Sequence, residues 1–547
     1  MDDPTNLAPV PVVIVGGGPV GLALARELDL HGVDCIVVEP RRTVSHSRPR
    51  AKTTSARTME FFRRWGLADE LRRKASLPLE WSSDIVFCTA VTGREISRFT
   101  GTLGLDLAGS ELAAEASQQI TQPVVEEVLR DADEHSSHIT LLLGWKATAI
   151  NASSDKVGEF GNSIAIESDD GRIAQLHATY VVGADGPRSL VRKSIGSEYV
   201  GAPAGRPNLN IVFRSKELRA LIPHGPALHY WVLNHVSPGV IGPLDLDDLW
   251  WTIATGRPDD DRDNDPVAII RALAGADIDV EIVETDPWQA RSLIADRWSS
   301  GRTFLVGDAA HQNPPWGGHG FNTGVGDAVN LGWKLGAVVN GWAPESLLAS
   351  YESERRPISQ LTIDIAGQNT KTLPSDFNVP ELLGTESEFL AARELVHARV
   401  QEAKRFEFFS LGLVLGYGYT PDSAEQTHDM TDYEPIAAPG NRLPHGWIAP
   451  GLSLYDLLGD EFTAIGTDAS TSALAREFER RGAPLTVLAD PRVDVLQMFG
   501  ADVVLVRPDQ HIAWLGRPPT AIEATQIFDD AVAGFKAPQL TNTTRGT

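Results

Sequence analysis

The sequence predicts an α/β protein of several domains, in which a βαβ-based unit is joined to a mostly β layer and followed by a smaller α/β unit. Three observations predict it. Residues 10–39 run as apolar strand, glycine turn, helix and second strand. Two later apolar runs, at 178–182 and 303–306, each enter a short acidic loop, and residues 205–295 change to short, aromatic, strand-like stretches.

The bulk properties bound the answer. At 547 residues the chain exceeds one hydrophobic core, so about three to five units are expected. With 42% apolar and 22% charged residues it reads as globular, not disordered or fibrous. A net charge of −25 argues against nucleic acid, which needs a basic face. Two cysteines, Cys35 and Cys88, are too few for a disulfide framework or a four-ligand zinc site, which favours a reducing cytoplasm. The uncharged run 8–25 is interrupted by four glycines and three prolines and reads as a buried strand plus loop, not a membrane span. Residues 1–7 lack the basic start of a secretory signal.

Along the chain, residues 10–15, 21–30 and 35–39 supply the βαβ unit around Gly16-Gly17-Gly18. Residues 55–74 are expected as a helix with Met59, Phe62, Trp65 and Leu67 on its apolar stripe. The β layer is expected to include 228–233 and 249–254, with an acidic loop at 259–263 read as a solvated turn, so no metal is assigned. Helical patterning follows 373–380 and runs to Phe408, and 421–444 is turn-rich. A last unit begins near Pro444 and reads strand 462–465, helix 472–481, then strands 485–488, 503–506 and 511–515.

Chemistry is first written in Gly16-Gly17-Gly18-Pro19-Val20-Gly21, a G-x-G-x-x-G after a strand and at a helix start. Gly16, Gly18 and Gly21, with Pro19 and Val20, let backbone N–H groups and the helix dipole meet a pyrophosphate. Glu39 ends the second strand, where a carboxylate accepts from an adenosine ribose; read alone it is a surface acid. The second signal is Gly307-Asp308-Ala309-Ala310-His311, then Pro314-Pro315-Trp316-Gly317-Gly318-His319-Gly320-Phe321-Asn322 and Asp327-Ala328-Val329-Asn330-Leu331-Gly332-Trp333-Lys334-Leu335. Asp308 at a strand end suits ribityl hydroxyls, the small-residue loop suits a flat ring, and a helix starting near Gly320 would aim its positive end at that ring. His311 is expected to orient backbone in preference to transferring protons.

These motifs resemble the class A flavoprotein monooxygenases, a group that includes phenol, hydroxyphenylpropionate and polyketide hydroxylases. Asp185-Gly186, followed by Arg188 and Ser189, is similar to the family's D-G motif, associated with FAD and NAD(P)H; alone it is a plain turn. The resemblance implies a Rossmann-type FAD-binding domain at 1–80, 111–204 and 295–372, a substrate-binding β domain at 81–110 and 205–294, and a helical and linker region at 373–443. It also implies a thioredoxin-like domain at 444–547, which here has no cysteine and so no thiol chemistry. Pro315, Gly318, Gly320, Phe321 and Asn322 are implied to contact FAD. Arg50 matches the family arginine near the flavin, or is a surface arginine. Gln122 matches a glutamine near FAD, or is an ordinary helix-start residue.

The resemblance also implies the reaction: hydride from NAD(P)H, bound transiently because there is no second glycine-turn unit, then O2 capture as a flavin C4a-hydroperoxide that hydroxylates a phenolic or polycyclic aromatic ring. A Baeyer–Villiger outcome remains open, whereas the absence of a Trp-x-Trp-x-Ile-Pro run argues against a halogenase. Lys52 is the candidate catalytic residue, as a group that helps deprotonate a phenol; its alternatives are a phosphate contact or a solvated loop. His229, Tyr230, Trp231, Trp250 and Trp251 are candidates for an aromatic pocket, or ordinary core. A small aromatic substrate, O2 and NAD(P)H are the expected partners, with a homodimer as a candidate assembly.

Overall fold

The structure is a computed structural model that describes residues 7–151, 161–256, 265–421, 430–489 and 497–535. The acidic loop 259–263 and residues 1–6 lie outside them.

The first sheet is built on five parallel strands in the spatial order Thr303–Leu305, Ile173–Gly183, Val10–Val15, Cys35–Glu39 and Ile139–Leu143. Val12 to Ile14 and Val37 are completely buried, because helices cover a parallel sheet on both faces and apolar runs result. Strand order reverses beside Val10–Val15, so the turns after Val15, Gly183 and Leu305 open at one end of the sheet, where α/β proteins bind ligands. Both acidic loops seen in the sequence thus arrive next to the glycine turn.

The second sheet has eight strands, in the order His311–Gln312, Glu281–Ala295, Tyr199–Arg214, Leu249–Thr255, Gly239–Pro243, His229–Val232, Ile85–Cys88 and Glu95–Phe99. Its pairing is antiparallel except between His229–Val232 and Ile85–Cys88. The two longest strands, Tyr199–Arg214 and Glu281–Ala295, escape a hydrophobicity reading because Gly201, Pro203, Gly205 and Pro207 punctuate the first, and Pro287 and clustered polar residues interrupt the second. One face packs beneath the Pro266–Ala274 helix through Ile269, Ile270 and Leu273. The other packs against the Glu386–Phe408 helix through Phe389, Val396, Val400 and Phe408, so that helix is fixed to the β layer.

The expected single helix at 55–74 is two, Ala56–Arg64 and Ala68–Lys74. Gly66 between them has φ +72°, a left-handed conformation that ends the first helix. The C-terminal sheet runs Leu485–Ala489, Phe462–Gly466, Val503–Val506, Ile512–Gly516, parallel in its first pair and antiparallel after. Helices Asp468–Arg481 and Ala521–Ala533 cover one face, with Phe478 and Phe528 packed edge to face at 4.8 Å. This βαβ–ββα order is the thioredoxin-like arrangement; its final helix was not anticipated from the sequence. That face also takes Trp333 and Trp342 from the first unit into a shared core.

Candidate active site

Gly16 has φ +108°, and a Cβ there would lie 2.3 Å from the Ala184 carbonyl oxygen. A Cβ at Gly21 would lie 2.0 Å from the Gly16 carbonyl oxygen. Only glycine permits this crossing of the first turn with the Ala184-Asp185 loop. Gly18 differs: a Cβ there meets no protein atom within 4 Å, although the residue caps the Pro19–Leu30 helix. The turn is therefore tight where chain meets chain and open where helix N–H groups point outward. The Val20 side chain fills the space left by Gly307 and Gly324, which fits the helix start against the Asp308 loop. Buried Glu39 accepts from Gly17 N at 2.8 Å and from Arg41 N at 2.9 Å, so it shapes the glycine turn itself.

Asp308 projects into the same cleft with an exposed side chain, crowded on its other sides, and this crowding raises its pKa. Its carboxylate accepts no hydrogen bond from any described residue, while Tyr199 Oη holds its backbone carbonyl. Asp185 is half committed: Oδ2 accepts from Leu190 N at 2.6 Å and Val191 N at 3.2 Å, capping a short helix, whereas Oδ1 is buried without a partner. Gly186 follows at φ +73° with open space around it. Beneath Gly307, His311 Nε2 lies 2.7 Å from Asp327 Oδ2, Arg355 Nε lies 2.9 Å from Asp327 Oδ1, and the imidazole stacks on Trp298. This buried set, with Asn313 Oδ1 3.1 Å from His311 Nδ1, engages both ring nitrogens within the protein and orients the loop.

The next loop turns through Gly317 (φ +89°) and Gly318 (φ +70°) into the His319–Val339 helix, with Pro315 exposed and Gly320 and Phe321 in its first turn, partly buried. Asn322 spends its side chain on the protein: Nδ2 donates to Thr53 O at 3.1 Å and Gly318 O at 2.8 Å, and Oδ1 accepts from Ser55 N at 2.9 Å. The Lys52 segment is thereby tied to this helix. The other side of the segment is tied to the Gln122 region, because Gln122 N donates to Ala51 O and Ile120 N to Lys52 O, both at 2.9 Å. Arg50 is exposed and near enough to Asp308 to favour its charged form. Lys52 Nζ lies 4.1 Å over the Trp251 ring, and burial lowers its pKa to about 8.

These features fit a flavin dinucleotide: a phosphate-facing turn, an unpartnered carboxylate at a strand end, and a helix start beside a small-residue loop. A family model described as "FAD binding domain" matches residues 9–366, and another described as "Aromatic-ring hydroxylase, C-terminal" matches 437–534. The chain belongs to the FAD-dependent aromatic-ring monooxygenases. It is 31% identical to the 4-methyl-5-nitrocatechol 5-monooxygenase of Burkholderia sp, over 93% of this chain and 94% of that protein. It is also 31% identical to the rifampicin monooxygenase of Rhodococcus hoagii, over 92% and 95%. Among solved structures it resembles the rebeccamycin biosynthetic enzyme RebC with reduced flavin, with TM-score 0.85 and 30% identity over 96% of this chain and 100% of that one. The ternary complex of aklavinone-11 hydroxylase with FAD and aklavinone gives 0.80 and 27%, over 96% and 99%.

In this FAD-dependent monooxygenase the aromatic candidates divide. Tyr230 and Trp250 face the Pro266–Ala274 helix and are core. His229, Trp231 and Trp251 face the other way, towards the flavin loop, where Trp231 lies 5.7 Å from Trp316 and Trp316 lies 6.5 Å from Trp288. His229 is partly open, and burial, then the charges of Lys52 and Lys404, lower its pKa to about 3, so its ring is neutral at pH 7. Lys404, fully buried, stands 4.2 Å over Trp231 and 2.6 Å from Glu407. Sequence reasoning missed Trp288, Lys404 and Arg355, which carry no local signal, and Trp316, whose position inside the glycine loop was the available one. Among the described residues no cluster could hold a metal ion, and no helix is long and apolar enough to cross a membrane.

Proposed function

We propose that this monooxygenase takes reducing equivalents from NAD(P)H and hydroxylates a phenolic or polycyclic phenolic ring brought up to the Lys52 ammonium. Bound FAD supplies hydride acceptance and oxygen activation; the chain's own residues bind, orient and dry the site. Gly16, Gly18 and Gly21 with Pro19 and Val20 would carry the pyrophosphate, Glu39 the ribose, and Asp308 the ribityl chain. Arg50, Gln122, Asp185 and Gly186, and residues 315–322 would frame the rest. Both cysteines are free and buried, which suits a reducing cytoplasm.

The observation that carries the reading is Lys52. Its ammonium has no carboxylate partner among the described residues, and its one hydrogen bond is a 3.3 Å contact to Arg50 O. A cation so placed beside an aromatic face stabilises a phenolate, and its lowered pKa lets the neutral amine take the phenol proton. Removing that proton raises electron density in the ring. Trp251, which the ammonium overlies, and the buried Trp231 and Trp316 of the same cluster form an apolar backing that excludes water.

A phenol and polycyclic phenol panel with labelled O2 tests the proposal. NAD(P)H oxidation should be slow alone and accelerate with an accepted phenol, with one labelled oxygen in the product. A rate independent of every phenol, with all electrons recovered as hydrogen peroxide, would establish a plain oxidase instead.

A further inference from the structure

The C-terminal unit keeps a thioredoxin-like arrangement without a cysteine, so its contacts must explain it. The most committed contact is the turn at residues 507–511, which joins its two antiparallel strands Val503–Val506 and Ile512–Gly516. Gln510, 2% exposed, sits there at φ 63°, one of two non-glycine residues with positive φ among those described. Such a conformation persists where its surroundings dictate it.

Those surroundings are three helices of the FAD-binding unit: Ala56–Arg64, His319–Val339 and Ser350–Asn369, which carries Glu354. On one side Gln510 Oε1 accepts from Arg57 Nη1 at 2.6 Å, and Asp509 O accepts from Arg57 Nη2 at 2.8 Å. Arg57 stands in the first turn of Ala56–Arg64, directly after the Lys52 segment, and also donates to Glu60 at 2.9 Å. On the other side Arg507 grips Glu354 through both carboxylate oxygens at 3.0 and 2.8 Å. Asn330 and Lys334, on the His319–Val339 helix, each donate to Glu354 at 2.8 Å, and Asn330 reaches Asp509 at 3.3 Å. One short turn therefore holds both helices whose N-terminal ends face the flavin and Lys52. All of these charges are buried, so each is costly to leave unpaired and the arrangement is stiff.

We infer that the turn at 507–511 is a positioning clamp for the flavin site, in which the Gln510 side-chain oxygen, through Arg57, fixes the Lys52 segment against the flavin-loop helix. Gln510 and Arg57 touch neither substrate nor cofactor; they set the spacing of the groups that do. The inference needs only FAD seated at the glycine turn and the 314–322 loop, and failure of the wild-type apoprotein to bind FAD would refute that seating, not the clamp.

Three variants of the full chain test it: Gln510→Gly, Gln510→Glu and Arg57→Lys. Glycine adopts φ 63° without strain, so Gln510→Gly keeps the turn while deleting the acceptor. Loss of a buried side chain and of one Arg57 partner should lower its thermal midpoint; in the folded apoprotein, well below that midpoint, the FAD dissociation constant should rise about tenfold, the order of one charge-assisted hydrogen bond. The visible circular dichroism of bound flavin should change with it. Gln510→Glu retains an acceptor oxygen and should restore both readouts to within about twofold. Arg57→Lys puts a point charge in place of the fork and should weaken FAD as Gln510→Gly does. Wild-type affinity and flavin dichroism in either Gln510→Gly or Arg57→Lys overturns the clamp, as does a folded Gln510→Glu that binds FAD as weakly as Gln510→Gly.

Discussion

Gly18 offers a clean separation of fold from ligand. Most glycines of the turn cannot be changed without harming the protein: a Cβ at Gly21 would sit 2.0 Å from a backbone oxygen. At Gly18 the added atom meets nothing within 4 Å, and φ −78° with ψ 178° suits any residue. Serine is moreover a preferred helix N-cap, so Gly18→Ser should leave the apoprotein's thermal midpoint unchanged or slightly higher. The cost falls on the ligand. Forcing two heavy atoms into a packed contact costs about 1–3 kcal/mol, which is about a 5- to 150-fold rise in the FAD dissociation constant. Fluorescence titration of apoprotein with FAD, beside thermal unfolding without FAD, reads both quantities. Gly18→Ser that binds FAD within about twofold of wild type would show that the pyrophosphate does not approach this backbone, and the assignment of the whole turn would fall.

Three further outcomes are expected. Asp308→Ala should weaken FAD by about 10- to 100-fold, the worth of hydrogen bonds to a charged group, while thermal unfolding stays unchanged because no described residue donates to that carboxylate; normal FAD occupancy would remove it from the site. If neutral Lys52 takes the phenol proton, kcat/KM should rise about tenfold from pH 6 to 7 and level off above its pKa of about 8. Lys52→Met should retain FAD and reduction by NAD(P)H, lose that profile and release hydrogen peroxide; tightly coupled native turnover in this variant would refute the role. His31 supplies a stability test: burial lowers its pKa, but Glu27 and Glu461 outweigh burial and raise it from 6.5 to about 9. A raised pKa stabilises the fold fully below pH 6.5, and the gain, on the order of 3 kcal/mol, is lost as pH rises through 9. Wild type should therefore lose more thermal midpoint than His31→Gln between pH 7 and 9.5, and parallel curves would contradict the pairing.

What could be read from the sequence was whatever is local. The glycine turn, Asp308 at its strand end and the strands at 10–15 and 35–39 need only neighbours in the chain to be recognised. The C-terminal strands and the Glu386–Phe408 helix were legible from periodicity for the same reason. Long-range placement was not. Nothing near Asn322 shows that its amide bridges Thr53 and Ser55, 269 and 267 residues away. Gly66 stood in the sequence as the breaker of the 55–74 helix, yet the apolar stripe continues across it and concealed the stop. The aromatic residues at 229–231 and 250–251 could be counted but not sorted, because which parity faces the flavin depends on what covers each side of the sheet.

That parity shows an engineer where the β layer tolerates little. Along Ile85–Cys88, His229–Val232 and Leu249–Thr255, residues 85, 87, 229, 231, 249, 251 and 253 look one way, and 86, 88, 230, 232, 250 and 254 the other. Each side is sealed by its own helix, Glu386–Phe408 over the first and Pro266–Ala274 over the second, so this part of the sheet is a slab cored on both faces. Large-to-small changes at Phe87 or Trp231 empty one core as surely as changes at Tyr230 or Trp250 empty the other, and only partly open positions such as His229 and Leu249 leave room for diversity.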